Sequence, residues 1–258
     1  MMRLDKFLAQ ASIGKRKEVR IYIKEGKVRV NGQIVRIPAI EIDEKRDRIE
    51  YINEIVKYSE KVYYMFNKPA GYITANKDKD HKTVFDFFNE EDKKGIFHVG
   101  RLDKDTEGLL FFTNDGEFEH KLMYPEKHVC KTYFFWALGS LTNEDIKCLE
   151  EGVYIINGKI LTKPAKVKIN SSGLFENFKE EFSKLKLDLK NYNKEVVSGY
   201  ITISEGRKHQ VKRMLKAVGC NIIYLRRTCI GDVKLDDSLN LGEYRNLKDN
   251  ELNSLFNI

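Results

Sequence analysis

Leu4, Phe7, Leu8 and Ala11 recur at i, i+3, i+4 and i+7, a spacing that predicts one apolar face of a short helix. Val19, Tyr22 and Ile23 repeat the pattern after a basic turn, Gly14-Lys15-Arg16-Lys17, and Gly26 marks where the second helix ends. Val28 and Val30, then Asn31-Gly32, then Ile34 predict a hairpin, because Asn-Gly supplies the positive φ that a two-residue turn requires. Beyond residue 60 the pattern turns to strands. Residues 62–67, 109–113 and 131–138 are apolar or aromatic runs bounded by turn residues. Residues 142–151 predict a helix capped by Thr142, and 153–156, Asn157-Gly158 and 160–162 predict a second hairpin. Hairpins outnumber strand–helix–strand units, so the fold class is α+β, with a body of mostly antiparallel strands in a mixed sheet.

One helix splits by chemistry. In 207–218, His209, Lys212, Arg213 and Lys216 share one face, and Val211, Met214, Leu215 and Val218 share another two positions round. Two positions on a helix are about 200°, so one side packs while the other shows cations. A solvated face over a core stripe accounts for this pattern alone. Its surroundings change the picture: residues 201–227 carry seven Lys/Arg against the single acid Glu205. Segment 171–195 is rich in Lys and Glu, and Phe178, Phe182 and Leu185 keep helical spacing, which predicts a short extra helix. An enlarged surface loop near a binding partner and a neutral insertion are both open readings of it.

Charge is unevenly spread. The chain of 258 residues has a net charge of +7. Residues 1–36 hold ten Lys/Arg against three acids, and the other 222 residues hold 36 of each sign. A small basic unit on a neutral body suits a polyanionic partner. No apolar run is long enough for a membrane span, and the first residues lack the apolar core of a signal peptide. The four cysteines show no Cys-x-x-Cys pairing, so reduced thiols and a cytoplasmic location are expected, without a zinc site.

Residues 98–116 (His-Val-Gly-Arg-Leu-Asp-Lys-Asp-Thr-Glu-Gly-Leu-Leu-Phe-Phe-Thr-Asn-Asp-Gly) carry the sharpest chemical signal. They set Asp103 beside Arg101 in a polar loop that runs into a hydrophobic strand, and the strand would hold the carboxylate in place as a nucleophile or base requires. An ordinary surface turn is the bland alternative. A metal-dependent nuclease built on Asp103, Asp105 and Glu107 is another, although one short loop rarely supplies defined ligand geometry.

This stretch resembles the signature of the RsuA/RluB branch of RNA pseudouridine synthases. Asn67-Lys68-Pro69-Ala70-Gly71-Tyr72, Lys131-Thr132-Tyr133 and Glu205-Gly206-Arg207-Lys208-His209-Gln210-Val211-Lys212-Arg213-Met214 agree with the family in the same order. Helix, basic turn, helix and hairpin at the start resemble an S4 (αL) RNA-binding domain. The resemblance implies an S4 domain over 1–45, a linker over 46–60 and a catalytic domain over 61–258. It implies Asp103 as the catalytic aspartate, Tyr133 as the active-site tyrosine and Lys212 as the basic partner of the aspartate. Arg101 and Leu225 would line the pocket, with Arg213 beside Lys212. Phosphate contacts would come from Arg3, Lys15, Arg16, Lys17 and Arg20, and from Arg207, Lys208, His209, Lys216, Arg226 and Arg227. The implied reaction cleaves the N1–C1′ bond of a uridine, turns the uracil and rejoins it through C5, with no cofactor and no metal.

Cys130-Lys131-Thr132-Tyr133, Leu161-Thr162-Lys163-Pro164-Ala165 and Leu241-Gly242-Glu243-Tyr244-Arg245 are most similar to the small-subunit branch, whose members modify uridine 516 of 16S rRNA. Relatives that act on 23S rRNA are the alternative within the family. A non-catalytic S4-type rRNA-binding factor is the alternative outside it. A monomer is expected, with RNA as partner and no membrane.

Overall fold

The computed structural model describes residues 1–11, 13–56, 61–124, 126, 129–156, 158–185, 187 and 194–257. The chain divides into two compact units. One comprises Met1–Tyr63 with Phe88–Phe97 and Phe112–Gly116, and the other the remainder.

The first unit opens with strand β1 (Met2–Arg3), helix α1 (Leu4–Gln10) and helix α2 (Arg16–Lys24). Leu4, Phe7 and Leu8 pack with Val19, Ile23, Val28, Ile42 and Ile49 in one buried cluster, as the apolar spacing predicts. The hairpin β2 (Val28–Val30) and β3 (Gln33–Ile34) turns through Asn31 and Gly32 at φ 52° and 81°. After β4 (Glu41–Ile42), which pairs with β1, come β5 (Ile49–Tyr51) and β6 (Glu54–Ile55). β5 pairs with β2 on one side and β6 on the other. The expected linker over 46–60 is therefore corrected: residues 49–51 and 54–55 are strands of this unit's sheet, and Ile49 is buried in its core. Residues 57–60 lie outside the described residues. Residues 61–63 stay with the same unit through hydrogen bonds, Val62 N–H to Asn114 Oδ1 (3.0 Å), Thr113 Oγ1 to the Val62 carbonyl (2.6 Å) and Tyr63 Oη to Asp115 Oδ2 (2.9 Å).

The second unit is built mainly on one sheet, and some of its elements begin or end in residues of the first unit, at Tyr63, Phe97, Phe112–Thr113 and Gly116. Its elements in chain order are β7 (Tyr63–Lys68), β8 (Phe97–Val99), β9 (Glu107–Thr113), α3 (Gly116–Met123), β10 (Lys131–Leu138), α4 (Asn143–Glu151), β11 (Tyr154–Ile155), β12 (Ile160–Leu161), β13 (Lys166–Leu174), α5 (Lys179–Lys184), β14 (Glu195–Ile203), α6 (Gln210–Ala217), β15 (Asn221–Ile230), β16 (Val233–Lys234), β17 (Tyr244–Asn246) and α7 (Asp249–Phe256). The sheet order is β13-β14-β10-β15-β9-β7-β17. β13, β14, β10 and β15 run antiparallel, and β15 and β9 are parallel. Thr142 caps α4 by accepting from Asp145 N–H (3.2 Å). The turn residue Asn157 of the β11–β12 hairpin lies outside the described residues.

Segment 171–195 is not a surface loop where it is described. Residues 171–174 finish β13, and Phe175, Phe178 and Phe182 pack on Trp136, with ring centroids 4.9 Å (Phe178) and 4.8 Å (Phe182) from it. Aromatic residues at that spacing cover one face of the sheet. Residues 186 and 188–193 lie outside the described residues.

Candidate active site

β8 leads into the loop 100–106, which carries Asp103 and becomes β9. Three groups hold that loop. Lys68, at the buried end of β7, donates its ammonium protons to the carbonyls of Pro69 (2.9 Å), Lys104 (3.3 Å) and Thr106 (2.9 Å). All three of its donors are used. Burial pushes the Lys68 pKa down to about 8, while Glu107, Asp105 and Asp103 act in the opposite direction. Thr74 Oγ1 donates to the Leu102 carbonyl (2.9 Å) and accepts from its N–H (3.1 Å). Gly71 N–H reaches the Lys104 carbonyl (2.7 Å). The Asn67–Tyr72 segment thus acts as scaffolding. In the sequence Lys68 stands out only as part of the Asn67–Tyr72 motif, although a lysine that closes an apolar strand signals a buried ammonium.

Asp103, so held, is 28% exposed at its side chain, with Lys212 Nζ at 3.6 Å and His209 Nε2 at 3.5 Å. The expected pairing with Lys212 exists but is shared: Lys212 lies nearer to Asp105, at 2.5 Å. Burial works against the charge on Asp105, yet the ammonium of Lys212 outweighs it and holds that carboxyl below its usual range. His209, expected among the RNA-contacting residues, is exposed and stands at the N-cap position of α6 in the left-handed region, at φ 54°, ψ 33°. The helix begins at Gln210, later than the expected 207, so the imidazole sits in the entering turn and points to Asp103. A left-handed histidine is a strained backbone position of the kind found at functional sites.

Tyr133 lies buried in β10, opposite Arg227 of β15 across a bulge at Thr132/Tyr133. Arg227 Nη1 approaches the Tyr133 hydroxyl (3.5 Å), and Arg227 Nε donates to the Leu109 carbonyl of β9 (2.7 Å). The expectation that Arg227 contacts RNA is corrected: it is 3% exposed. Neighbouring strand residues point to opposite faces, so of Arg226 and Arg227 one had to turn inward. Lys131 is also buried, its ammonium donating to the Val129 carbonyl (2.9 Å), and burial together with Arg227 pushes its pKa down to about 8. Leu225 is buried opposite Phe135.

The parallel contact that brings these strands together depends on Gly108. At φ +100°, opposite Arg227, an added Cβ would stand 2.2 Å from the Arg227 carbonyl oxygen. No L side chain fits there.

The remaining expected residues are more open. Arg101, Lys208 and Lys216 are exposed and Arg213 is half-buried. Arg207 Nε binds Glu205 Oε2 (3.1 Å). The three carboxylates of the nuclease alternative do not converge, since Asp103 and Asp105 face Lys212 while Glu107 accepts from Tyr224 Oη (2.9 Å). In the first unit Lys15 and Lys17 are exposed, but Arg3, Arg16 and Arg20 gather on the buried carboxylate of Asp5 at 3.0, 3.5 and 3.8 Å.

A mixed sheet here presents a loop aspartate to a lysine of α6, with a buried tyrosine on β10, an arrangement suited to an enzyme that works with a carboxylate. Comparison with known proteins gives the family. The RNA pseudouridylate synthase family matches residues 62–217 and the S4 domain family residues 2–49. The chain is 42% identical to the uncharacterized RNA pseudouridine synthase YtzG of Bacillus subtilis, over 98% of both chains. It is 38% identical to the B. subtilis ribosomal large subunit pseudouridine synthase B, over 99% of this chain and 96% of that one. It is 36% identical to the Haemophilus influenzae ribosomal small subunit pseudouridine synthase A, over 98% and 99%. A crystal structure of a pseudouridylate synthase superposes with a TM-score of 0.65 at 34% identity, covering 99% of this chain and 100% of the other. The chain belongs to the RNA pseudouridine synthase family and is an enzyme of that class.

Proposed function

We propose that the enzyme converts a uridine of 16S rRNA, position 516, to pseudouridine, acting as a cytoplasmic monomer. The observation that carries the chemistry is Asp103, fixed by the Lys68 clamp and faced by Lys212 and His209. A carboxylate that is only partly screened from water keeps its charge most readily when cations stand within contact range. Asp103 adds covalently, to the ribose or to the base, or supports the departing uracil, with the ammonium of Lys212 beside it. Tyr133 offers a ring to the base and a hydroxyl for proton exchange at C5, with Arg227 keeping that hydroxyl in place. The extruded uridine costs a few kcal/mol of unstacking, which phosphate contacts offset. Affinity should then fall with salt with a log–log slope of about −0.7 to −0.9 per phosphate.

The small-subunit target is supported by the Cys130–Tyr133, Leu161–Ala165 and Leu241–Arg245 segments. Full-length identity to a small-subunit relative (36%) and to a large-subunit relative (38%) does not separate the two targets. Mapping pseudouridines in rRNA from cells lacking the protein decides: loss at 16S position 516 supports the proposal, and loss at a 23S uridine with 516 intact overturns it.

A further inference from the structure

The hairpin β11–β12 breaks the usual pattern of a solvent-facing strand pair. Ile155 is buried, and β11 lies against α6, the helix that carries Lys212. The opposite face shows water a cross-strand apolar pair, Tyr154 (62% exposed) opposite Leu161 (52% exposed). Outward strand positions ordinarily carry polar side chains. The chain around this pair is rich in lysine, and the acids that reach it, Glu150 and Glu205, accept from the backbone N–H groups of Val167 and Lys163. Residues 152–174 contain four lysines, Lys159, Lys163, Lys166 and Lys168, and no acid. The hairpin is also wired to the site's helix. Glu205 Oε1 accepts from Lys163 N–H (2.9 Å) and from Gln210 Nε2 (2.6 Å), and Gln210 Oε1 accepts from Arg207 N–H (2.9 Å) at the start of α6.

An exposed aromatic ring within a lysine rim is the combination that binds single-stranded nucleic acid, the ring stacking on a base and the ammonium groups holding phosphates. A protein partner would be met by an apolar patch without so lopsided a rim. We propose that the Tyr154–Leu161 face of this hairpin is a base-stacking platform for single-stranded RNA adjoining the modified nucleotide. The Glu205–Gln210 hydrogen bonds tie that platform to α6. This rests on the RNA-substrate reading above and not on the chemistry assigned to Asp103.

The test uses the full chain and a twelve-nucleotide oligouridylate carrying 4-thiouridine. Wild-type protein should photo-crosslink within the peptide containing Tyr154. Tyr154→Ala should weaken binding about 5- to 30-fold, as loss of one base–aromatic stack does. Tyr154→Phe and Tyr154→Trp should restore most of it, because the ring and not the hydroxyl is used. Tyr154 is exposed, so all three variants should melt with wild type. Unchanged affinity in Tyr154→Ala, or a Tyr154-dependent dimer in sedimentation without RNA, overturns the platform. Conversion of rRNA transcripts is followed in parallel. A wild type that forms pseudouridine while Tyr154→Ala binds normally sinks the platform alone. A wild type that forms none while Tyr154→Ala binds weakly sinks the synthase reading alone.

Discussion

Asp5 and Asp103 are both aspartates surrounded by cations, one in each unit, and they are built for opposite purposes. Asp5 is completely buried, and its three partners, Arg3, Arg16 and Arg20, reach it from an exposed surface. Burial works against its charge, but Arg3 and Arg16 outweigh it and hold the carboxyl below its ordinary range. There the carboxylate serves the cations, holding three guanidinium groups in an array whose surplus positive charge faces water. At Asp103 the carboxylate stays accessible, with the ammonium of Lys212 and the imidazole of His209 beside it. The same pairing makes a scaffold when the anion is sealed and leaves the carboxylate reachable when it is open.

The comparison is most sharply tested at its open end. Asp103→Asn should abolish pseudouridine formation, by about a thousand-fold or more, a loss typical of removing a principal catalytic group. RNA affinity should persist, as a filter-binding titration would show. Retained turnover would mean that Asp103 is no more than another structural carboxylate.

Next in size is the clamp. Lys68→Met leaves three inward-facing carbonyls without their donor and should cost about 2–4 kcal/mol of stability, read as a lowered denaturation midpoint. Turnover should fall as well, since the loop that carries Asp103 loses its anchor. A variant as stable and active as wild type would show that the loop holds itself.

The sealed end responds more weakly and in a different observable. Asp5→Asn should cost about 1–3 kcal/mol by leaving the arginines without their charged acceptor. Its pH dependence has a definite sign. A carboxyl whose folded pKa lies below its ordinary value of 3.8 contributes stability above that value and loses it as pH falls through the folded pKa. Wild type should therefore lose stability on acidification below about pH 4 more steeply than Asp5→Asn. Parallel curves would remove Asp5 from the argument.

The smallest expected effect is at Asp105. With Asp105→Asn, Lys212 loses its nearest anion and turns fully to Asp103. Activity should change by less than about tenfold, the size of a modest electrostatic adjustment. The change should be a gain, because Lys212 then faces Asp103 alone. Movement the other way would show that Asp105 helps present Lys212.

Local pattern made much of this legible. The S4 helices, the Asn31-Gly32 turn, the split faces of α6 and the loop around Asp103 follow from periodicity, turn chemistry and motif order, all of which act over a few residues. Less was legible where a residue's role depends on distant chain. His209 and Arg227 both looked like surface cations, because each stands in a run of basic residues. One was drawn to Asp103 by where α6 begins, and the other was buried by strand parity and the bulge beside Tyr133. Residues 49–55 looked like linker because strands of two or three residues carry too little pattern to announce themselves.

Which residue types stand in which order is a property of the chain, and by itself it determined the family, the basic N-terminal unit and the motif positions at which Asp103, Tyr133 and Lys212 stand. Only the tertiary structure decided that Lys212 divides its charge between two aspartates, that Lys68 fastens the loop, and that Arg227 supports a tyrosine instead of a phosphate. Those outcomes turn on hydrogen bonds and ion pairs between residues far apart in sequence, whose strength depends on separations of a few tenths of an ångström that no periodicity encodes.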